Sequence, residues 1–253
     1  MDAGCEHMIS IEELKKVKEI RKTSLYHAEK EYFQYIFLNS ISKYSSDFVF
    51  KGGTCLRIAF ELERASEDLD FNTSLPVKEI KTRIRNCLKD FDYLNITHKI
   101  YSEKIHKGNY RAEIRFQGPL YTGNKSATNT IKIDCNKRRV FNKETRVIKK
   151  AFSDIPPFTI RVMAKEEILA EKLRALCMRV EPRDLYDTWL LINLGVNLNK
   201  KLLYTKLRED NIREFRLKLP SKKEFQNDLK LLLKSYPDYE QVIEEIKQQS
   251  RGL

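Results

Sequence analysis

A glycine pair and an aspartate pair lie close together in this sequence, in a pattern suited to phosphate and metal chemistry. Gly52-Gly53 separates an apolar segment from a helical one, so its backbone can approach phosphate oxygens and the helix N-terminus favours anions. Asp68 and Asp70 are two residues apart in a strand candidate, so their side chains share one face. Neighbouring carboxylates repel unless a cation lies between them, and Mg²⁺ commonly binds one or two carboxylates together with substrate phosphates. The pattern predicts a phosphate cradle beside a magnesium site.

A third carboxylate, Asp134, lies between Ile133 and Cys135 in a later strand candidate. On a neighbouring strand it would complete a two-metal site, whereas the alternative is an aspartate that caps a turn. Taken singly, a Gly-Gly is typical of a turn and an Asp-x-Asp of a surface pair. Their order and spacing favour the functional interpretation.

These residues resemble the signature of the polymerase-β-like nucleotidyltransferases. Two strings are similar to those of the AbiEii/MenT branch, which comprises toxins of toxin–antitoxin and phage-abortive systems: Lys51-Gly52-Gly53-Thr54-Cys55-Leu56-Arg57 and Ser66-Glu67-Asp68-Leu69-Asp70-Phe71. A second motif of that branch is matched by Glu171-Lys172-Leu173-Arg174-Ala175-Leu176, Arg179 and Arg183-Asp184-Leu185-Tyr186-Asp187. The resemblance spans residues 48–190, although the gap between Gly53 and Asp68 is slightly longer than the general superfamily pattern.

The resemblance implies a Mg²⁺-dependent nucleotidyltransferase that moves NMP from an NTP to an acceptor hydroxyl and releases pyrophosphate. It implies two Mg²⁺ ions held by Asp68, Asp70 and Asp134. The expected catalytic residues are Asp68, Asp70, Asp134, Lys172 and Asp187. The expected nucleotide-binding residues are Lys51, Gly52, Gly53, Thr54, Arg57, Ser66, Arg179 and Asp184.

The second motif lies on a predicted helix that starts near Lys165. Its apolar face should consist of Leu169, Leu173, Leu176 and Val180. Lys165, Lys172 and Arg179 are seven residues apart and form a separate stripe, which would be a solvated basic stripe without the family match. Arg183 and Asp187 have the spacing of a helical salt bridge, so a structural role for Arg183 is an equal alternative to a functional one.

The fold class expected from these elements is α+β: a polymerase-β-like core, with a mixed sheet flanked by helices, followed by a helical C-terminal part. Strands are predicted at 48–50, 69–71, 93–101, 110–117, 130–135 and 159–162. Helices are predicted after the Ser10–Glu13 capping box, around 33–41, at 54–62, at 77–91 and from 165 onward, with breaks near Pro182, Gly195 and Pro220. Pro156-Pro157 is the best candidate boundary, which gives a domain at 1–157 and another at 158–253.

The charge of the chain favours a polyanionic partner. The net charge is +12 over 253 residues, and it is concentrated in two stretches. Residues 137–150 contain seven basic side chains and one acidic one, and residues 200–223 contain nine basic and three acidic ones. Clustered positive charge suits nucleic acid. With the resemblance, it points to RNA, and to the 3′ end of tRNA, as the acceptor.

Two other functions remain open at this stage. One is a catalytically inactive nucleic-acid-binding or partner-binding protein that keeps only the fold. The other is a nucleotidyltransferase that modifies a protein or a small molecule. A cognate antitoxin is a further possible partner in the toxin interpretation.

The five cysteines are scattered and have no C-x-x-C spacing, which argues against a disulfide framework and a zinc site. No apolar run is long enough to span a bilayer, and the N-terminus does not resemble a signal peptide. We therefore expect a cytoplasmic protein with no membrane partner.

Overall fold

The structure, a computed structural model of the chain, describes residues 8–251. The chain divides into two compact units, residues 1–162 and residues 163–253. The division falls within the last strand of the sheet, five residues after the predicted boundary, because that strand continues through Met163. The assignment of separate domains stays a prediction.

The first unit contains four α-helices, a short 3₁₀-helix (Lys125–Ala127) and seven strands in its described part. Its helices are α1 (Ile11–Ile20), α2 (Leu25–Ser42), α3 (Gly52–Ala59) and α4 (Val77–Tyr93). Its strands are β1 (Phe48–Lys51), β2 (Asp68–Thr73), β3 (Thr97–His106), β4 (Asn109–Gln117), β5 (Asn129–Asn136), β6 (Lys143–Ile148) and β7 (Phe158–Met163).

The seven strands form one mixed sheet in the order β3-β4-β5-β2-β1-β7-β6. The central strand β2 pairs antiparallel with β1 and parallel with β5. Strands β3, β4 and β5 form an antiparallel meander, so one face of each can be apolar and the other polar. The predicted α+β class and its mixed sheet are confirmed.

An aromatic core lies under one face of this sheet. Phe116 of β4 stacks on Phe33 of α2, with ring centroids 4.8 Å apart, and packs at a tilt against Phe91 of α4, with centroids 4.6 Å apart. Phe71 of β2 packs against Phe50 of β1 at 5.4 Å. Alternation in β2, β4 and β5 turns the residues between these apolar ones to the opposite face, which is where Asp68, Asp70 and Asp134 lie.

The second unit is helical after β7 in its described part. It contains α5 (Lys165–Met178), α6 (Pro182–Asn193), α7 (Lys200–Glu209), α8 (Lys222–Leu229) and α9 (Tyr239–Gln249). The breaks agree with the predicted ones: Pro182 is the first residue of α6, and Gly195 follows α6 with a φ of +73°. Of these helices and those of the first unit, none has the length and apolar character needed to cross a bilayer, within residues 8–251.

The structure differs from the predicted secondary structure at two places. Strand β6 is not among the predicted strands; five of its six residues are exposed and it is an edge strand, so it lacks an alternating pattern. Residues 93–96 are not in a strand, because α4 continues through Tyr93 and β3 starts at Thr97.

Val180, expected on the buried face of α5, is 50% exposed, because the helix ends at Met178. The four described cysteines are free and buried, as expected for small hydrophobic residues, and Cys5 lies outside the described residues.

One lysine of the C-terminal basic stretch is part of the interior. Lys206 of α7 is fully buried, and its Nζ lies 2.6 Å from Glu167 Oε1 and 3.2 Å from Glu171 Oε1 on α5. Glu167 is also fully buried. Lys206 therefore joins α7 to α5 and does not contribute to a polyanion-binding surface.

Replacement of Lys206 by Met should destabilise the second unit, because Glu167 would stay buried without its lysine. We expect the free energy of unfolding to fall by about 3–5 kcal/mol, measured by urea denaturation. The double variant Lys206→Met/Glu167→Leu should recover most of that loss, since an apolar pair can replace a buried ion pair. Lys201→Met, at an exposed position of the same helix, is the control. A loss below about 1 kcal/mol in the single variant would contradict the assigned role.

Candidate active site

The parallel register between β2 and β5 brings two of the three predicted carboxylates into adjacent positions. Asp70 is the Cα partner of Asp134, and Asp68 is the partner of Lys132. Paired residues of neighbouring strands point to the same face, so Asp68, Asp70 and Asp134 share it with Lys132. Lys51 of β1 is the partner of Asp70 on the other side. The carboxylates thus lie between lysines on the flanking strands.

Arg111 of β4 provides the nearest described positive charge to Asp134. Its Nε donates a hydrogen bond to Asp134 Oδ1 at 2.6 Å, and the two residues are Cα partners across β4 and β5. The hydrogen bond raises the pKa of Arg111, and the charges of Asp134, Asp68 and Asp70 raise it further, against the opposing effect of burial. The negative charges of all three carboxylates therefore stabilise the protonated form of Arg111.

Asp68 is partly withdrawn from water. Burial raises the pKa of its carboxyl group, Lys132 lowers it, and the neighbouring charges of Asp134 and Glu67 raise it again. Burial therefore weakens ionisation of Asp68 most, the nearby carboxylates add to this effect, and a bound cation would oppose both.

The glycine pair is required by the backbone and by its neighbours. Gly52 has a φ of +78°, and a Cβ there would lie 2.5 Å from Asp70 Oδ2. A Cβ on Gly53 would lie 2.3 Å from Arg64 Nη2 and 3.0 Å from Ser66 Oγ. The Asp70 carboxylate and the Arg64 guanidinium therefore lie directly against the first turn of α3.

The segment that leads into β2 is held by two helices. Gln34 of α2 donates hydrogen bonds from Nε2 to the carbonyls of Ser66 and Glu67, both at 3.0 Å. Thr54 of α3 is fully buried, its hydroxyl donates to the carbonyl of Asp68, and its Oγ1 lies 2.9 Å from Ser66 Oγ, within hydrogen-bond distance. These contacts fix where Asp68 begins the strand, and they turn the Thr54 side chain inward.

Arg57 has a structural position that differs from its predicted role in nucleotide binding. It is 3% exposed, and its guanidinium donates to Glu31 Oε2 from Nε at 3.2 Å and from Nη2 at 3.1 Å. It also donates to the carbonyls of Arg21, Leu62 and Glu63. Because these groups occupy the guanidinium, we remove Arg57 from the proposed nucleotide site.

The predicted three-carboxylate metal site is not assembled in this structure. Within residues 8–251, no three His, Cys, Asp or Glu side chains are grouped so that they could hold a metal ion. Asp134 is turned to Arg111. Asp68 and Asp70, on one face of one strand, still fit the one or two carboxylates that Mg²⁺ commonly takes in addition to phosphate oxygens.

The residues of the second motif form an ion cluster within the second unit. Lys172 Nζ lies 2.7 Å from Asp184 Oδ1 and 2.7 Å from Asp187 Oδ2, and both aspartates are buried. Arg179 follows the end of α5, where its Nη2 lies 2.7 Å from Asp184 Oδ2. Two cations thus face two carboxylates, and Arg179 does not continue a helical stripe with Lys165. The predicted part of Lys172, Asp187, Asp184 and Arg179 in nucleotide chemistry stays a prediction.

Arg183, expected as a possible partner of Asp187, pairs with Asp228 of α8 at 3.1 Å. This supports the structural alternative for Arg183.

Sequence reasoning missed three basic residues of this region: Arg64, which lies against Gly53, and Arg111 and Lys132, which are the cross-strand partners of Asp134 and Asp68. The sequence predicts strands at 110–117 and 130–135, but the pairing between these strands cannot be inferred from the strand pattern alone. A search for basic residues at alternate positions of the predicted strands would have found Arg111 and Lys132.

A family of known proteins matches most of this chain. A model of the AbiEii nucleotidyl transferase toxins of type IV toxin–antitoxin systems matches residues 36–250. The chain belongs to this family. It is therefore a nucleotidyltransferase, as the resemblance of the glycine and aspartate motifs implied.

Solved structures share the fold of this AbiEii-family chain. MenT4, a nucleotidyltransferase toxin of Mycobacterium tuberculosis, superposes with a TM-score of 0.71 at 19% identity, covering 96% of this chain and 89% of that one. JHP933 of Helicobacter pylori gives a TM-score of 0.57 at 21% identity, covering 90% and 91%. No protein of curated function matches the chain in sequence.

The ion cluster of the second unit should make stability depend on pH. Burial alone would raise the pKa of Asp184, but the charges and hydrogen bonds of Lys172 and Arg179 outweigh it and hold the pKa below its ordinary value. A lowered folded-state pKa stabilises the fold above the unfolded pKa of about 3.9, and this contribution is lost as pH falls through the folded-state pKa.

We therefore expect Asp184→Asn to reduce the free energy of unfolding at pH 7, and the difference from wild type to shrink below about pH 4. Urea denaturation across pH 7 to 3 measures it. Asp92→Asn, which removes a carboxylate that is 66% exposed, should show a small and nearly constant difference. A difference for Asp184→Asn that is equal at both ends of the range would refute the assignment.

Proposed function

We propose that this chain transfers NMP from an NTP to a hydroxyl of RNA, in a Mg²⁺-dependent reaction at the β2–β5 face. The observation that carries the proposal is the in-register pair Asp70–Asp134, with Asp68 on the same face and the first turn of α3 against Asp70. Carboxylates for a cation and a helix N-terminus for a phosphate then lie at one place.

Asp68 and Asp70 are the proposed ligands of Mg²⁺. When bound, the cation neutralises charge on the phosphate oxygens and orients the triphosphate. The pKa of the Asp68 carboxyl group is raised, first by burial and then by the nearby charges of Asp134 and Glu67, so a bound cation would favour its ionised form.

The first turn of α3 is the proposed phosphate cradle. The N-cap residue, Lys51, gives no side-chain cap to the first N–H groups, and Gly52 and Gly53 leave the backbone uncovered by a Cβ. Arg64, packed against Gly53, adds positive charge there. Ser66 lies beside both, with its hydroxyl fixed by Thr54.

Asp134 is the proposed proton acceptor. Arg111 orients its carboxylate through Oδ1, and the carboxylate takes the proton of the acceptor hydroxyl as that oxygen attacks the α-phosphorus. The new oxygen–phosphorus bond forms while the bond from the α-phosphorus to the bridging oxygen of the β-phosphate breaks, and pyrophosphate leaves. Positioning and electrostatics supply most of the rate enhancement.

RNA, and specifically the 3′ end of tRNA, is the proposed acceptor. The net charge of +12 and the two basic stretches favour a polyanion, and most residues of β6, in the first stretch, are exposed. Membership of a toxin family makes an antitoxin the expected protein partner. Addition of a nucleotide to the 3′ end of tRNA would block aminoacylation and stop growth.

The direct test incubates the full chain with Mg²⁺, total tRNA and each α-labelled NTP in turn. We expect one NTP to label tRNA, and Asp70→Asn to lower the rate at least about 100-fold, because it removes a charge that the transition state needs. Asp92→Asn is the matched control and should retain wild-type activity. Thermal unfolding of both variants checks that they are folded.

Several outcomes would contradict the proposal. Label that enters protein or a small molecule, and not RNA, would select the other acceptor class. Activity that survives Asp70→Asn would move the site elsewhere. A chain that binds RNA without transferring label from any NTP would be the binding protein that keeps only the fold.

A further inference from the structure

The polar face of β3, β4 and β5 continues from the carboxylates toward the edge of the sheet. Register pairs Asp134 with Arg111, Lys132 with Glu113 and Thr130 with Arg115 between β5 and β4. It pairs Arg111 with Lys104, Glu113 with Ser102 and Arg115 with Lys99 between β4 and β3. The opposite face of these strands carries the buried residues Tyr110, Ala112, Ile114, Phe116, Ile131 and Ile133. We call the first set, together with Tyr101, the sheet platform.

The sheet platform has more basic than acidic residues. Its basic residues are Lys99, Lys104, Arg111, Arg115 and Lys132, and its acidic ones are Glu113 and Asp134. Asp134 marks the end nearest the proposed active site. A polyanion that reaches the carboxylates from the β3 side would therefore pass over lysines and arginines.

A backbone irregularity places an aromatic ring on this face. The register of β3 shifts between Ile100 and Ser102, so Tyr101 is an extra residue opposite β4. Such a bulge can redirect a side chain. Arg115 Cζ lies 3.4 Å from the centroid of the Tyr101 ring, and Tyr101 is 56% exposed. The result is a flat, cationic stack that faces water.

We propose that the sheet platform binds the single-stranded 3′ segment of the acceptor RNA, with a base stacked on the Tyr101–Arg115 pair and phosphates bound by Lys99, Arg115 and Lys132. Aromatic rings and guanidinium planes on an open sheet face are a general means of binding unpaired bases. The role as acceptor track rests on the proposed nucleotidyl transfer, whereas RNA binding itself does not.

The spacing suits a strand that leads into the active site. Arg115 is four residues from Arg111 along β4, which corresponds to about 14 Å at the rise of an antiparallel strand. Arg111 contacts Asp134. A nucleotide stacked on the Tyr101–Arg115 pair would thus be only a few nucleotides of single-stranded RNA away from Asp134, the proposed proton acceptor. Lys132 lies between the two positions.

A competing RNA site is available in the second unit. Tyr204, Arg208 and Arg213 line a cavity of about 740 Å³ together with Asn211 and Ile212. It offers one aromatic ring and two guanidinium groups, so its variants are suitable controls. The sheet platform is favoured because its register connects it to Asp134.

The experiment measures binding of the full chain to a short 5′-labelled single-stranded RNA by fluorescence anisotropy, without NTP or Mg²⁺. Tyr101→Ala should weaken binding about 10-fold or more, while Tyr101→Phe should retain it. Arg115→Gln should weaken binding and lower the slope of log K against log salt by about 0.7, as expected for one lost phosphate contact. Arg213→Gln, which removes an exposed guanidinium from the other cavity, should leave the affinity unchanged.

The affinity for labelled NTP with Mg²⁺ should be equal in wild type and all four variants, which shows that the proposed active site is intact. Loss of RNA affinity in Arg213→Gln, with none in Tyr101→Ala and Arg115→Gln, would overturn the proposal in favour of the second unit. Unchanged RNA affinity in all variants would also overturn the proposal. The sheet platform would then be assigned to binding of a protein partner.

The two proposals can fail separately. Weaker RNA binding in Tyr101→Ala and Arg115→Gln, together with no transfer of label to RNA by wild type, would support the platform and reject the proposed reaction. Transfer to tRNA with wild-type RNA affinity in both variants would support the reaction and reject the platform.

Discussion

The parallel register between β2 and β5 places Asp70 beside Asp134, and much of the first unit is organised around the negative charge that results. Like charges at adjacent strand positions destabilise a sheet unless they are compensated. Here Arg111 binds Asp134, while Lys51 and Lys132 are the cross-strand partners of Asp70 and Asp68. The pKa of Asp68 is nevertheless raised, chiefly because its carboxyl group is buried and in addition because Asp134 and Glu67 lie near it. A bound cation would favour the ionised form of Asp68, as the proposed nucleotidyl transfer requires.

The same strand is fixed from behind by buried polar groups. Gln34 holds the carbonyls of Ser66 and Glu67, Thr54 holds Ser66 and Asp68, and Arg57 ties α3 to Glu31 of α2. Buried hydrogen-bonded groups are costly to disturb, so they position the start of β2 more rigidly than apolar packing alone would. Residues in the family strings thus divide into those that face the proposed chemistry and those, such as Arg57, that hold it in place.

The sequence predicted the elements that have strong local signals. Gly52 and Gly53, the alternation of β2 and the helical period of α4 and α5 are local properties, and the family resemblance supplied the fold. The sequence did not reveal β6, an exposed edge strand, or the partners of buried charges. Lys206 lies in a predicted basic stretch, yet it is in the interior with Glu167. The family resemblance implies that Arg57 binds a nucleotide, yet its guanidinium binds Glu31. Arg111 was missed because its importance depends on pairing with Asp134, which lies 23 residues away along the chain.

In the proposed site, Asp68 and Asp70 bind a cation, and the triphosphate that this cation also binds lies on the first turn of α3. Crystals of the full chain grown with Mn²⁺ and a non-hydrolysable NTP analogue, with diffraction recorded at the manganese edge, test it most directly. The account predicts an anomalous peak within coordination distance of both carboxylates, with phosphate oxygens near the backbone of Gly52 and Gly53. A peak away from both aspartates, or a triphosphate bound elsewhere on the chain, would contradict it.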